Sequence, residues 1–302
     1  MSATIDALAP APMAPGQDPA RIAAAITGAA NTSFASGMAI LSRPRREAMW
    51  ALYAFARLID DIADEDWPLA DKHRLLDAWV AEIGALYQGR AVSAVGLALA
   101  GPIERYDLPQ AEFLALIEGM RMDADGPLVA PPMVVLRAYT RRVAGAVGLL
   151  SMRIFGAWRG EVSERFALAL ADAFQFTNIL RDVEEDAGLG RLYLPAELLE
   201  RAGVPPDPGA ALSNAGLAVV RAELGRLARA EFVQAGALIG AHERLRLAPA
   251  LLMAGVYATY LARMEAAGFS LGAPIRLSKT EKLWRGLLCF AAPSGSALAA
   301  HG

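Results

Sequence analysis

The chain has 302 residues and a formal net charge of −3; 55% of its residues are hydrophobic and 20% are charged. This near-neutral charge gives no sign of a nucleic-acid partner. The only cysteine, Cys289, excludes an internal disulfide and fits a reducing compartment. Alanine and leucine are abundant and β-branched runs are few, so the composition favours helix over sheet.

The N-terminal residues 1–19 contain four prolines and a glycine, which predicts a disordered leader. The first helix is predicted to begin at Pro19, with Asp18 as its N-cap, and to run to residue 30. No secretory signal is predicted, because a basic region followed by an apolar core is lacking. The charge-free runs 22–42 and 247–262 are either interrupted by polar residues or too short, so no transmembrane segment is predicted.

The next helix is predicted to begin near residue 43, and it carries three carboxylates at its end. Asp60 and Asp64 stand four residues apart, so their side chains share one helical face, which Arg57 and Tyr53 continue. Like charges at this spacing repel, and the apolar run 48–55 argues against a free surface helix, so a shared cation is expected. A solvated acidic face and a purely structural salt bridge from Arg57 are the plainer interpretations.

Scaffold helices are predicted over 71–87, 91–100 and 111–120. Breaks are expected at Gly101 and Pro102 and at 107–109, and a helix-end loop is expected at 122–127. The segment 139–148 then carries Gly145 and Gly148 inside a helical pattern. Each glycine costs about 1 kcal/mol relative to alanine in a helix, so close packing or room for a substrate chain is expected there.

A second acidic helix follows the apolar run 166–176. Asn178, Asp182 and Asp186 stand at four-residue steps, which places one amide oxygen and two carboxylates on one face. Oxygen donors without nearby histidine or cysteine suit Mg²⁺, with Mn²⁺ as an alternative. Because two such faces occur in one chain, we predict a magnesium diphosphate site rather than two solvated surfaces.

The C-terminal third is predicted to contain scaffold helices over 217–239 and 248–266, followed by a basic row. Arg276, Lys279 and Lys282 stand at steps of three, which suits either a solvated surface or a bound diphosphate. The three histidines show no metal-ligand spacing and are predicted to lie on the surface. Cys289 is predicted to be a small hydrophobe near the end of the last helix.

The two acidic helices resemble the paired aspartate-rich signatures of the squalene and phytoene synthase family, the head-to-head isoprenyl synthases. The segment 139–148 is similar to that family's tyrosine-containing Val-Ala-Gly-x-Val-Gly helix, and residues 191–195 are similar to the tail of its second signature. The resemblance covers residues 33–282. It implies an all-α, single-domain isoprenoid-synthase bundle around a central apolar cavity, over residues 20–288, followed by a flexible tail over 289–302.

The resemblance also implies roles for particular residues. The metal ligands would be Asp60, Asp64, Asn178, Asp182 and Asp186. The catalytic residues would be Tyr139, Arg57 and Tyr53. The substrate-binding residues would be Ser33, Phe34, Arg57, Gln175, Arg181, Arg191, Tyr257, Arg276 and Lys282. Thr32 stands where the family often has a basic residue, which weakens the phosphate-binding role expected of Ser33.

The activity implied by the resemblance is prenyl transfer, in which Mg²⁺ assists the ionisation of a diphosphate and two prenyl chains join head to head. Four segments look most like the bacterial hopanoid-pathway presqualene diphosphate synthases, which join two farnesyl diphosphates without NADPH. They are 48–64, 122–124, 151–156 and 276–279. Four alternatives remain open: a phytoene synthase, an NADPH-dependent squalene synthase, an enzyme that acts on one prenyl diphosphate, and a non-catalytic prenyl-binding or assembly protein. A cytoplasmic protein is expected, and contact with the inner face of the membrane or with downstream enzymes of the pathway is left open.

Overall fold

The structure is a computed structural model that describes residues 5–29, 34–272, 274–292 and 298, apart from the side chains of 6 and 34–36. The chain divides into two compact units, Met1–Gly126 with Leu149–Trp158 and Pro127–Gly148 with Arg159–Gly302. The regular structure of the described residues is helical with only isolated β-bridges, so the predicted all-α class is confirmed. The α-helices are α1 (Pro19–Ala29), α2 (Phe34–Ala39), α3 (Arg43–Asp64), α4 (Leu69–Leu86), α5 (Ala94–Tyr106), α6 (Gln110–Ala124), α7 (Met133–Thr140), α8 (Ala146–Ile154), α9 (Glu161–Gly188), α10 (Ala196–Arg201), α11 (Pro208–Leu212), α12 (Leu217–Leu238), α13 (Arg244–Ala266) and α14 (Lys279–Ala291).

The core of the first unit is built around aromatic side chains of α3, α4 and α6. Phe55 meets Trp79 and Phe113 edge to face, with ring centroids 5.6 and 5.4 Å apart. All three rings are fully buried, and such pairs contribute about 0.5–1.5 kcal/mol beyond the burial of their area. Because Phe55 fixes the rotation of α3, it also fixes the side on which Asp60 and Asp64 project.

Part of the predicted leader is packed in the first unit. Leu8 is buried, and its carbonyl accepts a hydrogen bond from Trp79 Nε1 at 2.9 Å. The predicted start of α1 is confirmed, because the Asp18 carboxylate accepts a hydrogen bond from Ala20 N at 3.0 Å. The domain boundaries at residues 19 and 288 stay predictions.

The break predicted at Gly101 and Pro102 is wrong, because α5 runs through both residues. Proline removes one backbone donor but does not stop a helix that is held by packing, and α5 buries Val95 and Leu99. The helix ends instead at Asp107, whose φ of 50° provides a left-handed cap.

The two glycines of segment 139–148 allow close packing against α9, as predicted. A Cβ added to Gly145 would lie 3.0 Å from Leu168 Cδ2, and one added to Gly148 would lie 3.3 Å from the carbonyl oxygen of Ala167. The segment is not one continuous α-helix, however. A π-helical turn (Arg141–Gly145) joins α7 to α8.

An ionic cluster ties α7 to α9 and α12. Arg137 contacts Asp172 at 2.5 Å and Glu231 at 3.0 Å, and Thr140 Oγ1 donates to Asp172 at 2.5 Å. Burial raises the pKa of both acids, and the bonds to Arg137 counter this shift. The cluster holds the helix that carries Tyr139 against the two long helices of the second unit.

The surface position predicted for the histidines is wrong for His242, which is buried. Its Nδ1 lies 2.9 Å from Leu238 O, a pure acceptor, so Nδ1 carries the proton and Nε2 accepts from the Ser163 hydroxyl at 2.9 Å. This bond ties the start of α9 to the chain before α13. His73 is partly exposed as predicted, and His301 lies outside the described residues.

The buried position predicted for Cys289 is confirmed, and burial raises the pKa of its thiol to about 12. Among the described residues one helix, α13, is long and apolar enough to cross a membrane. However, 78% of its apolar window is buried within the structure, which is typical of a core helix.

Candidate active site

The acidic end of α3 gathers carboxylates around one guanidinium. Arg57 Nη2 lies 2.5 Å from Asp61 Oδ1, and Nη1 lies 3.4 Å from Asp60 Oδ2. The pKa of Asp60 is raised to about 6, first by burial and next by the negative charge of Asp64. The negative charge of Asp64 thus raises the pKa of Asp60, in the direction that the spacing predicts, and the charge of Arg57 lowers it. Tyr53 is half-buried one turn earlier on the helix.

A further carboxylate near this group was not predicted. Residues 122–124 belong to α6 rather than to the expected loop, and the charge of Asp123 is among those that raise the pKa of Asp60. The sequence signal for this residue is weak, because the following Gly126 and Pro127 favour a loop. The resemblance of segment 122–124 to the family is the one hint in the sequence that it belongs with the site.

The acidic face of α9 differs, since its central carboxylate is already paired. Arg181 Nε and Nη2 donate to the two oxygens of Asp182 at 2.7 and 2.6 Å. Burial lowers the pKa of Arg181, but the hydrogen bonds and charge of Asp182 outweigh this effect and raise it overall. The guanidinium also lies over the ring of Tyr260, 5.3 Å from its centroid. Arg181, a predicted substrate-binding residue, thus binds Asp182, a predicted metal ligand. Asp186 follows one turn later on the helix.

Asn178 presents an oxygen with no hydrogen-bond partner among the described residues. Its Oδ1 is buried, and an unsatisfied buried acceptor costs about 1–3 kcal/mol. Burial raises the pKa of Tyr257, while the charge of Arg181 and a hydrogen bond from the Asn178 side chain lower it. Phe174 stacks on Tyr257 with centroids 4.3 Å apart. The structure therefore brings Asn178, Arg181 and Tyr257 together beside an aromatic surface.

Tyr139 lies buried at the end of α7, directly before the π-helical turn. Its ring stacks on Tyr193, with centroids 5.5 Å apart. The loop that contains Tyr193 and the half-buried Arg191 is tied to the start of the second unit, because Leu192 O accepts from Ala130 N at 2.8 Å. π-helical turns occur frequently at functional sites, so the local geometry of Tyr139 is consistent with its predicted role.

The helical row predicted for the C-terminal basic residues is wrong for Arg276. Ser278 caps α14 by accepting from Glu281 N at 3.1 Å, so the helix begins only at Lys279. Arg276 precedes the helix and is exposed, whereas Lys282 is half-buried within it.

Of the remaining predicted binding residues, only Gln175 has a side chain that the structure describes. Gln175 is half-buried in α9, on the segment that also carries Phe174. Ser33 lies outside the described residues, and so does the side chain of Phe34.

Both acidic faces fit a magnesium ion that takes part of its coordination from other oxygens. Within the described ranges, no three acidic, histidine or cysteine side chains are grouped so that they hold an ion by themselves. Mg²⁺ usually keeps several waters and binds one or two carboxylates together with substrate phosphates. The unpartnered Asn178 oxygen and the repulsion at Asp60 are the features that a cation would relieve.

Comparison with known proteins gives a match to one family profile, to two related sequences and to one crystal structure. The sequence profile of squalene/phytoene synthase matches residues 27–281. The presqualene diphosphate synthase of Zymomonas mobilis is 40% identical over 82% of this chain and 84% of its own length. The phytoene synthase of Thermus thermophilus is 33% identical over 83% of this chain and 86% of its own length. The crystal structure of squalene synthase HpnC from Alicyclobacillus acidocaldarius aligns with a TM-score of 0.78 and 27% identity, over 84% of this chain and 95% of its own.

Proposed function

The chain belongs to the squalene/phytoene synthase family, and we propose that it joins two farnesyl diphosphates head to head into presqualene diphosphate. The observation that carries this proposal is the 40% identity to the Zymomonas mobilis presqualene diphosphate synthase, against 33% to the Thermus thermophilus phytoene synthase at nearly equal coverage. The product is a C30 cyclopropyl diphosphate. One carbon–oxygen bond breaks and its electrons leave with diphosphate. The π electrons of one carbon–carbon double bond and the electrons of one carbon–hydrogen bond form the two new carbon–carbon bonds, and the proton leaves, so the reaction balances without NADPH.

The arginines beside the two acidic faces are proposed to bind diphosphate oxygens. Arg57 and Arg181 each present a guanidinium fork to carboxylates, and the same fork matches a phosphate. An entering diphosphate would exchange one set of oxygens for the other, with Arg191, Arg276 and Lys282 as further cations. Gln175 and Ser33 are proposed as hydrogen-bond donors to the same group.

The magnesium ligands are proposed to be the carboxylates and the amide of the two faces. Asp60 and Asp64 would hold magnesium on α3, and Asn178, Asp182 and Asp186 would hold it on α9. Magnesium supplies positive charge to a departing diphosphate. Mn²⁺ is the proposed substitute. The lone Asn178 oxygen supports this assignment, because a cation satisfies it without a protein donor.

The aromatic residues are proposed to protect the carbocation and hold its chain. Tyr139 is buried against Tyr193, and a phenol ring face and hydroxyl dipole stabilise a cation in an apolar setting. Tyr53 continues the Asp60 face toward apolar residues. Phe34 and Tyr257 are proposed to contact the prenyl chain, where apolar side chains exclude water.

The deciding experiment is incubation of the purified protein with Mg²⁺ and either farnesyl or geranylgeranyl diphosphate, each with and without NADPH, followed by mass analysis. We expect a C30 cyclopropyl diphosphate whose amount does not depend on NADPH. Squalene formed only with NADPH would indicate a complete squalene synthase, and a C40 product would indicate phytoene synthase. A product that contains only one prenyl chain, formed by hydrolysis or cyclisation, or binding without turnover would reject the proposal altogether.

The protein is proposed to be cytoplasmic, in keeping with its single buried thiol. Peripheral attachment to the inner face of the membrane is part of this proposal, since the product is strongly apolar apart from its diphosphate.

A further inference from the structure

The exposed side of α14 carries large apolar side chains. Leu283, Trp284 and Leu287 are 54%, 60% and 43% exposed, and their spacing places them on one side of the helix. We call these three residues the α14 stripe. The squalene/phytoene synthase profile matches residues 27–281 and so ends just before the stripe.

The opposite side of α14 is packed closely on α13. A Cβ added to Gly286 would lie 2.7 Å from the backbone oxygen of Leu252, so the two helices meet without an intervening side chain. At the far end of α14, Arg244 Nη2 donates to the carbonyl oxygen of Cys289 at 3.1 Å. The helix is therefore held in one rotation, and the exposure of the stripe is a fixed feature of the second unit.

The surroundings of the stripe are basic. Residues 276–287 contain four basic side chains and one acidic one, a local net charge of +3 in a chain whose total is −3. The acidic residue, Glu281, is itself paired with Arg263 at 2.5 Å. Lys279 is exposed one turn before Leu283, so an exposed cation borders the apolar side chains directly.

We propose that the α14 stripe binds the surface of a membrane that contains anionic lipids. An amphipathic helix with leucine and tryptophan on one side and lysine and arginine beside them is typical of helices that lie in the lipid interface. The indole ring prefers the head-group level, and the basic residues are attracted to anionic head groups. This inference names the surface for the peripheral attachment that the proposed function includes, and it rests on the exposed side chains of α14 rather than on the reaction.

A second copy of the chain is the competing occupant. Three side chains with these exposures offer about 300 Å² of apolar surface, whereas each partner in a stable dimer buries about 800 Å². The like charge of the two basic surroundings would also repel. Both points favour the lipid surface.

The test is sedimentation of the full-length protein with phosphatidylcholine vesicles made with and without phosphatidylglycerol. We expect binding to the anionic vesicles, and binding weaker by roughly tenfold or more when phosphatidylglycerol is left out. Trp284→Ser with Leu287→Ser should weaken binding to anionic vesicles by roughly tenfold or more, and Lys279→Glu by roughly tenfold. Val219→Ser, which removes a side chain 59% exposed on α12, is the matched control and should bind normally.

A second measurement does not depend on the folding of the double variant. Lipids brominated in the acyl chain should quench the tryptophan fluorescence of the unmodified protein, and Trp284→Phe should still bind while losing most of that quenching. Equal binding by the stripe variant, binding that ignores phosphatidylglycerol, or quenching that survives Trp284→Phe would each overturn the proposal. So would a stripe variant that only converts a dimer into a monomer in light scattering, since that result assigns the stripe to a second copy.

Discussion

The acidic ends of α3 and α9 share a four-residue spacing but hold their carboxylates differently. On α3, Arg57 is divided between Asp61 at 2.5 Å and Asp60 at 3.4 Å, and the pKa of Asp60 is raised to about 6. On α9, Arg181 gives two donors to Asp182 alone. Arg57 precedes its two partners by three and four residues, the spacing at which helical side chains are neighbours, whereas Arg181 is adjacent to Asp182 in the chain.

This difference shows that the spacing of carboxylates does not decide how much negative charge a site keeps. On the α3 face the negative charge of Asp64 acts on Asp60 more strongly than the positive charge of Arg57 does, so a cation bound there would relieve repulsion. On the α9 face the central carboxylate, Asp182, is paired with Arg181. A cation there must compete with Arg181 for Asp182 or bind first to the Asn178 oxygen, which has no hydrogen-bond partner among the described residues. The two faces are therefore expected to differ in metal affinity, although we propose that turnover requires both.

The largest expected effect is the loss of activity when either face is broken. Asp60→Ala and Asp182→Ala should each lower turnover by about a hundredfold or more, because charge stabilisation of a leaving group is lost. Circular dichroism should show unchanged helicity. Asp66→Ala and Glu185→Ala remove exposed carboxylates near each face and serve as controls. Near-normal turnover in either ligand variant would remove the argument for a metal site.

The next effect is a change in metal affinity on removal of Arg181. In an Asp60→Ala background, which isolates the α9 face, Arg181→Met should bind Mg²⁺ about fivefold more tightly, since a partly exposed ion pair of ~1 kcal/mol no longer competes. The measurement is calorimetric titration without substrate.

The counterpart on α3 uses an Asp182→Ala background. There Arg57→Met should change Mg²⁺ affinity less, because Arg57 makes only a long contact with Asp60, at 3.4 Å. An equal gain from both substitutions would mean that the two faces do not differ in the way described.

Local periodicity explains which parts of this site could be predicted from the sequence. The shared faces of Asp60 with Asp64 and of Asn178 with Asp182 follow from helical repeat alone, and both helices form as expected. The start of α1 at Pro19 is confirmed for the same reason, since a cap and its helix are adjacent in the chain.

The features that were missed depend on partners far away in the sequence. The buried His242 accepts a hydrogen bond from the Ser163 hydroxyl, and the charge of Asp123 acts on Asp60 through space. Pro102 stays inside α5 because packing outweighs a lost backbone bond. No window of neighbouring residues contains these pairings.

A smaller effect is the stabilisation of the protein by metal. Mg²⁺ at about a hundred times its dissociation constant should add ~2.7 kcal/mol, which for a chain of this size raises Tm by about 5 °C. The measurement is thermal unfolding in Mg²⁺ against the same buffer with chelator. Asp60→Ala combined with Asp182→Ala should abolish the shift, and a shift that persists in this variant would place the binding elsewhere.

The smallest expected effect differs in sign between the two faces. In chelator at pH 8, Asp60→Asn should stabilise the protein by a few tenths of a kcal/mol, because it removes the repulsion with Asp64. Asp182→Asn should destabilise it by about 1 kcal/mol, because the partly exposed Arg181 loses its charged partner. Denaturant midpoints of the two variants measure the difference directly. Asp61→Asn removes a carboxylate that is paired with Arg57. It should therefore destabilise the protein as Asp182→Asn does, because the lost charge had a partner. If all three substitutions shift the midpoint in the same direction, arginine placement does not set the charge state of these helices.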